Sequence, residues 1–373
     1  SQHHAARGRR TKNTRTLGGI MDLFTPVTLG SLQLRNRIVM APMTRSRAGS
    51  DAVPTAVMVD YYRQRASAGL IISEGIAPSA DGLGYCRTPG IYNPAQIEGW
   101  RRVTDAVHAA GGCIVAQIMH VGRVANALNK PPGSRTVAPS ALRARGEIYT
   151  DQQGMQDLDE PHALSAEEIP AVIEDYRQAT ENAYAAGFDG VELHCTSGYL
   201  PAQFLSSGSN QRTDNYGGSV ANRVRFPLQV LQAMAGVDGA ERVGMRICPD
   251  NPFNDLQDDN PQETFEALLE SAAELGLAYL HVIRFPRGRV DNIALGQRYC
   301  DDRLIGNESY SFEEAQGAVA GGELTAVSFG RPFVGNPDLV ERWQAGAALA
   351  EFDLATLYTP GENGYSNYPR ADL

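Results

Sequence analysis

The feature that most constrains the fold is a repeated alternation of short apolar runs with longer helical patterns, beginning at Met21. Eight runs resemble buried strands, at residues 37–43, 70–75, 113–120, 190–196, 242–249, 279–284, 303–308 and 326–331. Most lack polar alternation, which is typical of parallel strands covered on both faces. Eight strands, each followed by a helix, predict a single α/β domain of the (β/α)8 barrel type. A doubly wound sheet is the alternative, but no GxGxxG turn follows the first strand.

Three further segments flank or interrupt this pattern. The stretch VTLGSLQLRNR before the first strand predicts an N-terminal hairpin that closes the barrel floor. Residues 125–164 are rich in Pro, Gly and charge, and they predict a loop or subdomain inserted after the third strand, where barrel enzymes carry active-site loops. Residues 1–20 lack the apolar core of a secretory signal and are interpreted as a tag remnant or disordered leader. We therefore expect residues 21–373 to form one barrel domain.

Composition limits the partners of this chain. Its net charge of −10 argues against a nucleic-acid or anionic-membrane surface, and no apolar run approaches the length of a membrane span, about 20 residues. The five cysteines are scattered without a CxxC pair, so neither a disulfide framework nor a metal site is predicted, and a reducing cytoplasm fits best. A small-molecule substrate is the expected partner. Self-association is left open, because exposed barrel helices often pair.

The fourth predicted strand ends in an unusual polar cluster, within the stretch VELHCTSGYLPAQFLSS. Side chains alternate along a strand, so Glu192 and His194 share one face while Val191, Leu193 and Cys195 share the other. If the apolar face meets the helices, His194 points into the barrel mouth. The glycine at position 198 then permits a sharp turn that brings the following tyrosine over the same mouth.

Other strand ends deliver polar groups to the same rim, where barrel enzymes place their working residues. The segments APMTR, AQIMH, MRICP and FGR end strands one, three, five and eight. Thr44 and Gln117 can meet heteroatoms, and Arg246 can stabilise negative charge. The Gly330–Arg331 pair can hold a phosphate. Together these ends predict a broad pocket for a flat ligand with polar edges.

The sequence resembles the Old Yellow Enzyme family of FMN-dependent ene-reductases over nearly all of the patterned chain. The motifs are LFTPVTLGSLQLRNRIVMAPMTRSRA, QIMHVGR, GFDGVELHCTSGYLPAQFLSSGSNQRTDNYGGSVANRVRF, SFGRPFVGNPDL and GYSNYP. The block containing NQRTDNYGGS is the most specific of these, because chance agreement over its length is negligible.

The resemblance implies a barrel with FMN across its top and NAD(P)H as the reductant. It implies contacts to the flavin from Pro42, Met43, Thr44, Gly75, Gln117 and Arg246. It implies a phosphate site at Asn307, Ser309, Gly330 and Arg331. The implied catalytic residues are His194 and Ser197, which would hold the substrate carbonyl oxygen, and Tyr199, which would donate a proton. Tyr85 and Tyr358 are implied to face the substrate.

Two positions depart from the family pattern. Ser197 stands where the family has His or Asn, and its shorter side chain weakens the second donor to the carbonyl oxygen. After strand seven the family commonly has NGGY, whereas this chain has Asn307, Glu308, Ser309 and a tyrosine. A glutamate facing a phosphate would be repelled, so Glu308 either turns outward or weakens FMN binding. A shift by one residue, with position 306 and Asn307 at the phosphate instead, would soften the conflict.

These departures leave two functions open. The leading hypothesis is an NAD(P)H-dependent flavin oxidoreductase that reduces the C=C bond of an activated alkene. The alternative is a non-redox isomerisation or cyclisation that uses Tyr199 and His194 as acid and base, with FMN weakly bound, absent or a spectator. Flavin binding by the purified protein separates the two.

Overall fold

The computed structural model describes residues 15–16 and 19–373. The interpretation of residues 1–20 as a tag or leader therefore concerns a segment that lies mostly outside the described residues. Within it, Arg15–Thr16 pairs antiparallel with Gly19–Ile20. In the described part of the chain, no helix is long and apolar enough to cross a membrane.

Eight parallel strands close into a barrel, which confirms the predicted fold class. In chain order they are β1 (Ile38–Met40), β2 (Leu70–Ile76), β3 (Ile114–Ile118), β4 (Gly190–His194), β5 (Val243–Ile247), β6 (Tyr279–Ile283), β7 (Leu304–Asn307) and β8 (Ala326–Phe329). Strands that follow one another in the chain are neighbours in the barrel, and β8 pairs with β1 to close it. Each strand overlaps the run predicted for it.

Helices follow the strands and cover the barrel. Among the described residues they are α1 (Ala56–Gln64), α2 (Pro94–Ala109), α3 (Ile169–Ala185), α4 (Leu200–Leu205), α5 (Val220–Asp238), α6 (Pro261–Ala273), α7 (Asn292–Cys300), α8 (Phe312–Ala320), α9 (Arg331–Gly335) and α10 (Leu339–Gln344). Local sequence sets their ends. The Asn93 side chain accepts a hydrogen bond from the Gln96 amide at the start of α2, and α5 ends at Gly239, which has φ of 97°.

The predicted hairpin closes the amino end of the barrel. Val27–Leu29 pairs antiparallel with Leu32–Leu34, and the buried leucines of both strands pack against the lower barrel interior. At the tip, a Cβ on Gly30 would lie 2.3 Å from the Glu241 carbonyl oxygen, so only glycine allows this close approach. With one end plugged by apolar side chains, the carboxyl ends of the strands form the open mouth.

The insertion after β3 contains two small pairs of strands. Val137–Ala138 pairs in parallel with His162–Ala163, and Glu147–Thr150 forms an antiparallel hairpin with Gly154–Asp157. This hairpin contributes residues to a cavity at the barrel mouth, as expected for an active-site insertion. The barrel therefore has an apolar floor, a polar mouth and a hairpin at its rim.

Candidate active site at the barrel mouth

The end of β4 separates apolar and polar side chains as its alternation predicts. Val191, Leu193 and Cys195 are fully buried in the core between the barrel and the helices. Burial raises the pKa of the Cys195 thiol to about 12, which leaves it protonated and unsuited to act as a nucleophile. Glu192 and His194 face the barrel interior, so His194 reaches the mouth.

A tight turn after β4 brings Tyr199 to the same mouth. Ser197 and Gly198 both have positive φ, 61° and 84°. A Cβ on Gly198 would lie 2.4 Å from the Cβ of Asn254, so glycine is required here by both conformation and space. Tyr199 is the N-cap residue that precedes α4, and its ring centroid lies 4.9 Å from that of His194.

Tyr199 is held as a protonated phenol. Its hydroxyl lies 2.8 Å from that of Tyr85, and either can donate in this hydrogen bond. Burial, with Tyr85 adding to it, raises the pKa of Tyr199 well above its ordinary value. The phenol therefore keeps its proton at neutral pH and is available as a proton donor.

His194 is neutral at physiological pH. Burial, with the nearby Arg246 guanidinium adding to it, lowers the pKa of His194 to about 3. A neutral imidazole carries one N–H that can donate to an oxygen without introducing a full positive charge. Its Nδ1 is buried and has no hydrogen-bond partner among the described residues.

A buried polar layer lies beneath these two residues. The Glu192 carboxylate accepts hydrogen bonds from Gln117 Nε2 at 2.9 Å and the Tyr279 hydroxyl at 2.8 Å, and it contacts His281 Nδ1 at 3.1 Å. Burial opposes ionisation of Glu192, but the surrounding groups outweigh it and hold its pKa below the usual range. The layer fixes the strand ends that carry the site.

A cavity of about 670 Å³ opens above Tyr199. Of the residues predicted from sequence, Thr44, Tyr85, Tyr199 and Tyr358 line it together. Its outer rim is apolar yet exposed, since Tyr149, Met155, Phe253 and Tyr358 each expose half or more of their surface. Exposed apolar residues grouped around one cavity are typical of a ligand site.

The residues predicted to contact a flavin lie at neighbouring strand ends. Gly75 of β2 pairs with Gln117 of β3, and a Cβ on Gly75 would collide with the Met119 side chain. The side-chain nitrogen of Gln117 donates to the Glu192 carboxylate. The side-chain oxygen of Gln117 therefore remains available to accept a hydrogen bond from another donor. Met43, just after β1, packs beside Gly330. Pro42, which precedes Met43 in the chain, is half-buried.

Arg246 connects the mouth to the end of β7. Its Nη2 donates to the Asn307 side-chain oxygen at 2.7 Å, whereas its buried Nε has no partner among the described residues. Unpartnered buried nitrogens on both Arg246 and His194 fit a flat ligand with acceptor atoms at its edge, as a flavin has. The donor set at the mouth is therefore compatible with FMN, and the roles assigned to these residues remain predictions.

The turn predicted to hold the phosphate lies after β7. Glu308 and Ser309 have φ of 98° and 58°, whereas residue 306 and Asn307 belong to the strand. The turn itself falls at Glu308 and Ser309, and the shift by one residue, with residue 306 and Asn307 at the phosphate, stays a prediction. Arg331 is exposed after β8, and neither Ser309 nor Arg331 lines the cavity above Tyr199.

Sequence reasoning missed the residues that brace the site from distant loops. Asn254, in the loop after β5, donates from its side-chain amide to the Ser197 carbonyl oxygen at 2.7 Å. Arg87 pairs with Asp151 of the inserted hairpin at 2.9 Å and donates to the Tyr358 carbonyl oxygen at 2.9 Å. These contacts join segments far apart in the chain, and no local pattern signals them.

Comparison with known proteins gives a family. The model of the NADH:flavin oxidoreductase / NADH oxidase family matches residues 22–350. A probable flavin mononucleotide-dependent alkene reductase from Leishmania infantum is 44% identical, over 93% of this chain and 97% of the relative. A chanoclavine-I aldehyde reductase from Penicillium roqueforti is 43% identical, over 93% of this chain and 95% of the relative.

Solved structures agree with this match. Morphinone reductase in complex with tetrahydroNAD is 46% identical, with a TM-score of 0.89 over 94% of this chain and 98% of that chain. An old yellow enzyme homologue from Zymomonas mobilis is 40% identical, with a TM-score of 0.90 over 94% of this chain and 100% of that chain. The family model covers most of the chain, and both fold and sequence agree along its length. The chain therefore belongs to the NADH:flavin oxidoreductase / NADH oxidase family, the family of the old yellow enzymes.

Proposed function

We propose that this chain is an FMN-dependent ene-reductase that uses NAD(P)H to reduce the C=C bond of an activated, α,β-unsaturated carbonyl-like substrate. The observation that carries the proposal is the convergence of the neutral His194 imidazole and the protonated Tyr199 phenol beside a cavity of about 670 Å³, with ring centroids 4.9 Å apart. Bound FMN would supply the hydride, and the chain's own residues would bind, orient and protonate the substrate.

His194 is the proposed donor to the substrate carbonyl oxygen. Hydride addition at the β carbon builds negative charge on that oxygen, so a donor aimed at it stabilises the transition state more than the ground state. Ser197 is the proposed second donor. Its hydroxyl is carried on a short side chain, so its contribution is expected to be smaller than that of His194.

Tyr199 is the proposed proton donor to the α carbon. The hydrogen bond with Tyr85 fixes the direction of its hydroxyl, and its raised pKa keeps the proton in place until the carbon accepts it. Tyr85 and Tyr358 line the same cavity and are the proposed contacts to the rest of the substrate.

The cofactor contacts follow the strand ends. The proposed ring and ribityl contacts are Pro42, Met43, Thr44, Gly75, Gln117 and Arg246. The proposed phosphate contacts are Asn307, Ser309, Gly330 and Arg331, in the loops after β7 and β8. Phosphate sites of α/β barrels are frequently found in these two loops.

Residues 21–373 would form one FMN-binding unit acting in the cytoplasm on a small molecule, without nucleic-acid or membrane partners. Self-association of the barrel is left to measurement. The curated relatives named above are reductases by name, and no observation favours the non-redox alternative.

The first test is the flavin itself. A purified protein with a yellow spectrum that is bleached by NADPH without oxygen supports redox function, and a colourless protein that takes up no added FMN would exclude it.

The second test separates the reduction of the flavin by NADPH from its reoxidation by the enone substrate. Tyr199→Phe should leave bleaching by NADPH intact and slow reoxidation by an enone such as 2-cyclohexenone by about 10²-fold or more, the usual contribution of a positioned acid. Tyr176→Phe is the matched control, because Tyr176 is buried on α3 and its hydroxyl has no partner among the described residues. Equal enone rates in Tyr199→Phe and the parent protein would refute the proton-donor role.

A further inference from the structure

The outer rim of the cavity above Tyr199 carries hydrophobic side chains that face water. Among the described residues, seven large hydrophobic side chains are exposed, and four of them surround this one cavity, namely Tyr149, Met155, Phe253 and Tyr358. Their exposed fractions are 50%, 55%, 59% and 59%. Single exposed hydrophobic residues are ordinary, whereas a group of them around one opening marks a surface that a ligand covers.

The inserted hairpin presents two of these side chains side by side. Met155 lies directly opposite Tyr149 in the antiparallel register, and side chains opposite each other share one face of the pair. Asn129 donates from its side-chain amide to the Tyr149 carbonyl oxygen at 2.9 Å, and Arg87 pairs with Asp151 in the hairpin turn at 2.9 Å. The exposed face of the hairpin is therefore held in place before any ligand binds.

The hydrophobic surface is continuous from this rim to the proposed proton donor. Ile148 lines the cavity, is only 4% exposed, and packs in one hydrophobic cluster with Tyr199 and Tyr85. Tyr149 is next in the chain and lines the same cavity, but it is half exposed and so lies further out. Phe253, in the loop after β5, also lines the cavity. A substrate whose alkene lies at Tyr199 therefore meets hydrophobic side chains as far as the rim.

The charges of the cavity do not favour an anionic substrate. Of the described residues that line it, the charged ones are Arg87, Glu147 and Asp151. The Arg87 guanidinium is paired with Asp151 at 2.9 Å and also donates to the Tyr358 carbonyl oxygen at 2.9 Å. Glu147 is an exposed carboxylate. The one cation of the lining is therefore already engaged, and a carboxylate on the substrate would lose water there without gaining an ion pair.

We propose that the substrate carries, beyond its activated alkene, an extended, apolar and uncharged body that covers Tyr149, Met155 and Phe253. The proposal rests on the proposed function, because it takes Tyr199 as the proton donor at the inner end of the cavity. The volume of about 670 Å³ lies within the range of cavities that hold drug-sized ligands, roughly 300 to 1,000 Å³. Such a body leaves water together with the side chains that it covers, which favours its binding. A second copy of this chain is the other candidate for covering the rim, and the experiment distinguishes the two.

The experiment measures how fast the reduced full-length holoenzyme is reoxidised by two enones, in stopped flow without oxygen. The small probe is 2-cyclohexenone, and the extended probe is the methyl ester of a carboxychalcone, which carries two aryl rings on one enone. Met155→Ala and Phe253→Ala should each lower the second-order rate constant for the chalcone ester by about tenfold and leave that for 2-cyclohexenone within about twofold. Leu349→Ala is the matched control, because this exposed residue does not line the cavity and should change neither rate constant.

The parent protein tests the charge preference without any substitution. It should reduce the chalcone ester about tenfold faster than the corresponding free carboxylate, and a preference for the carboxylate overturns the inference. Unchanged chalcone rates in both variants, or equal losses on both enones, also overturn it and leave the proposed function intact. If those unchanged rates come with a shift of oligomeric state in gel filtration, the rim is a contact between copies of the chain. If no enone reoxidises the reduced parent protein, the proposed function fails together with the inference.

Discussion

At the scale of single residues, Ser197 has a backbone conformation that suits asparagine better than serine. Its φ of 61° lies in the left-handed region, where Asn is several-fold enriched among non-glycine residues. An asparagine amide is also longer and reaches further toward a substrate oxygen beside His194. Removing one such donor elsewhere typically costs about 10² to 10³ in kcat, so its addition should have a sizeable effect.

We therefore expect Ser197→Asn to raise kcat/KM for 2-cyclohexenone by about tenfold or more, with the rate of flavin reduction by NADPH unchanged. Stopped-flow measurement of the two half-reactions separates these rates. Ser197→Ala is the companion variant, and it should lose less than tenfold because the hydroxyl is a weak donor. A Ser197→Asn protein no faster than the parent on the enone would show that position 197 does not reach the carbonyl oxygen.

At the scale of elements, Arg87 joins three segments at the rim of the cavity. It pairs with Asp151 in the inserted hairpin and donates to the carbonyl oxygens of Tyr358 near the C-terminus and Ser46 after β1. The Arg87 side chain is only 16% exposed, so these bonds are partly shielded from water. The hairpin and the C-terminal segment supply much of the apolar rim, and Arg87 holds them together.

Arg87→Met should loosen the rim while leaving the barrel intact. We expect KM for bulky apolar enones to rise by about tenfold, equivalent to about 1.4 kcal/mol, while values for small cyclic enones change less. The matched control is Arg63→Met, which breaks an ion pair with Asp60 whose two side chains are about half exposed. A KM that rises equally for small and bulky substrates would indicate general disruption of the mouth instead.

The same scale shows what the sequence predicts and what it leaves out. The strand positions and the inward direction of His194 follow from local periodicity, and the hairpin at the floor follows from a turn between short apolar runs. The contact between Asn254 and Ser197 spans 57 residues, and the clamp at Arg87 spans 64 residues to Asp151. Such contacts depend on how loops from different strands meet, which no local pattern specifies. The conformation of Glu308 is likewise hidden, because its residue type argues against a positive φ.

At the scale of the whole molecule, buried groups with opposite pKa shifts set the response to acid. Burial lowers the pKa values of His120 and His194 to about 3. As the pH falls through about 6.5, the unfolded chain therefore binds two protons that the folded chain does not bind until about pH 3. Burial raises the pKa of Glu74 to about 7 and that of Asp175 to about 6. The folded chain therefore binds two protons that the unfolded chain does not bind until the pH falls to about 4. Stability rises with pH wherever the unfolded state binds more protons.

Between about pH 6 and 4.5, the contributions of these four groups to the difference in bound protons between the unfolded and folded states nearly cancel. Below about pH 4.5 both states protonate the two carboxylates, so the two histidines alone determine how stability depends on pH. Glu74→Gln removes one cancelling group and retains an acceptor for the Tyr62 hydroxyl, which bonds Glu74 at 2.7 Å. The free energy of unfolding of this variant should then fall with decreasing pH already from about 6.5, by about 1.4 kcal/mol per pH unit for one uncompensated proton. Urea unfolding across pH 4.5–7.5 measures the slope, and Glu270→Gln, at an exposed position of α6, is the control. Equal slopes in Glu74→Gln and the parent protein would mean that Glu74 does not hold its proton in the folded state, and that Tyr62 and the neighbouring arginines keep this buried carboxylate ionised instead.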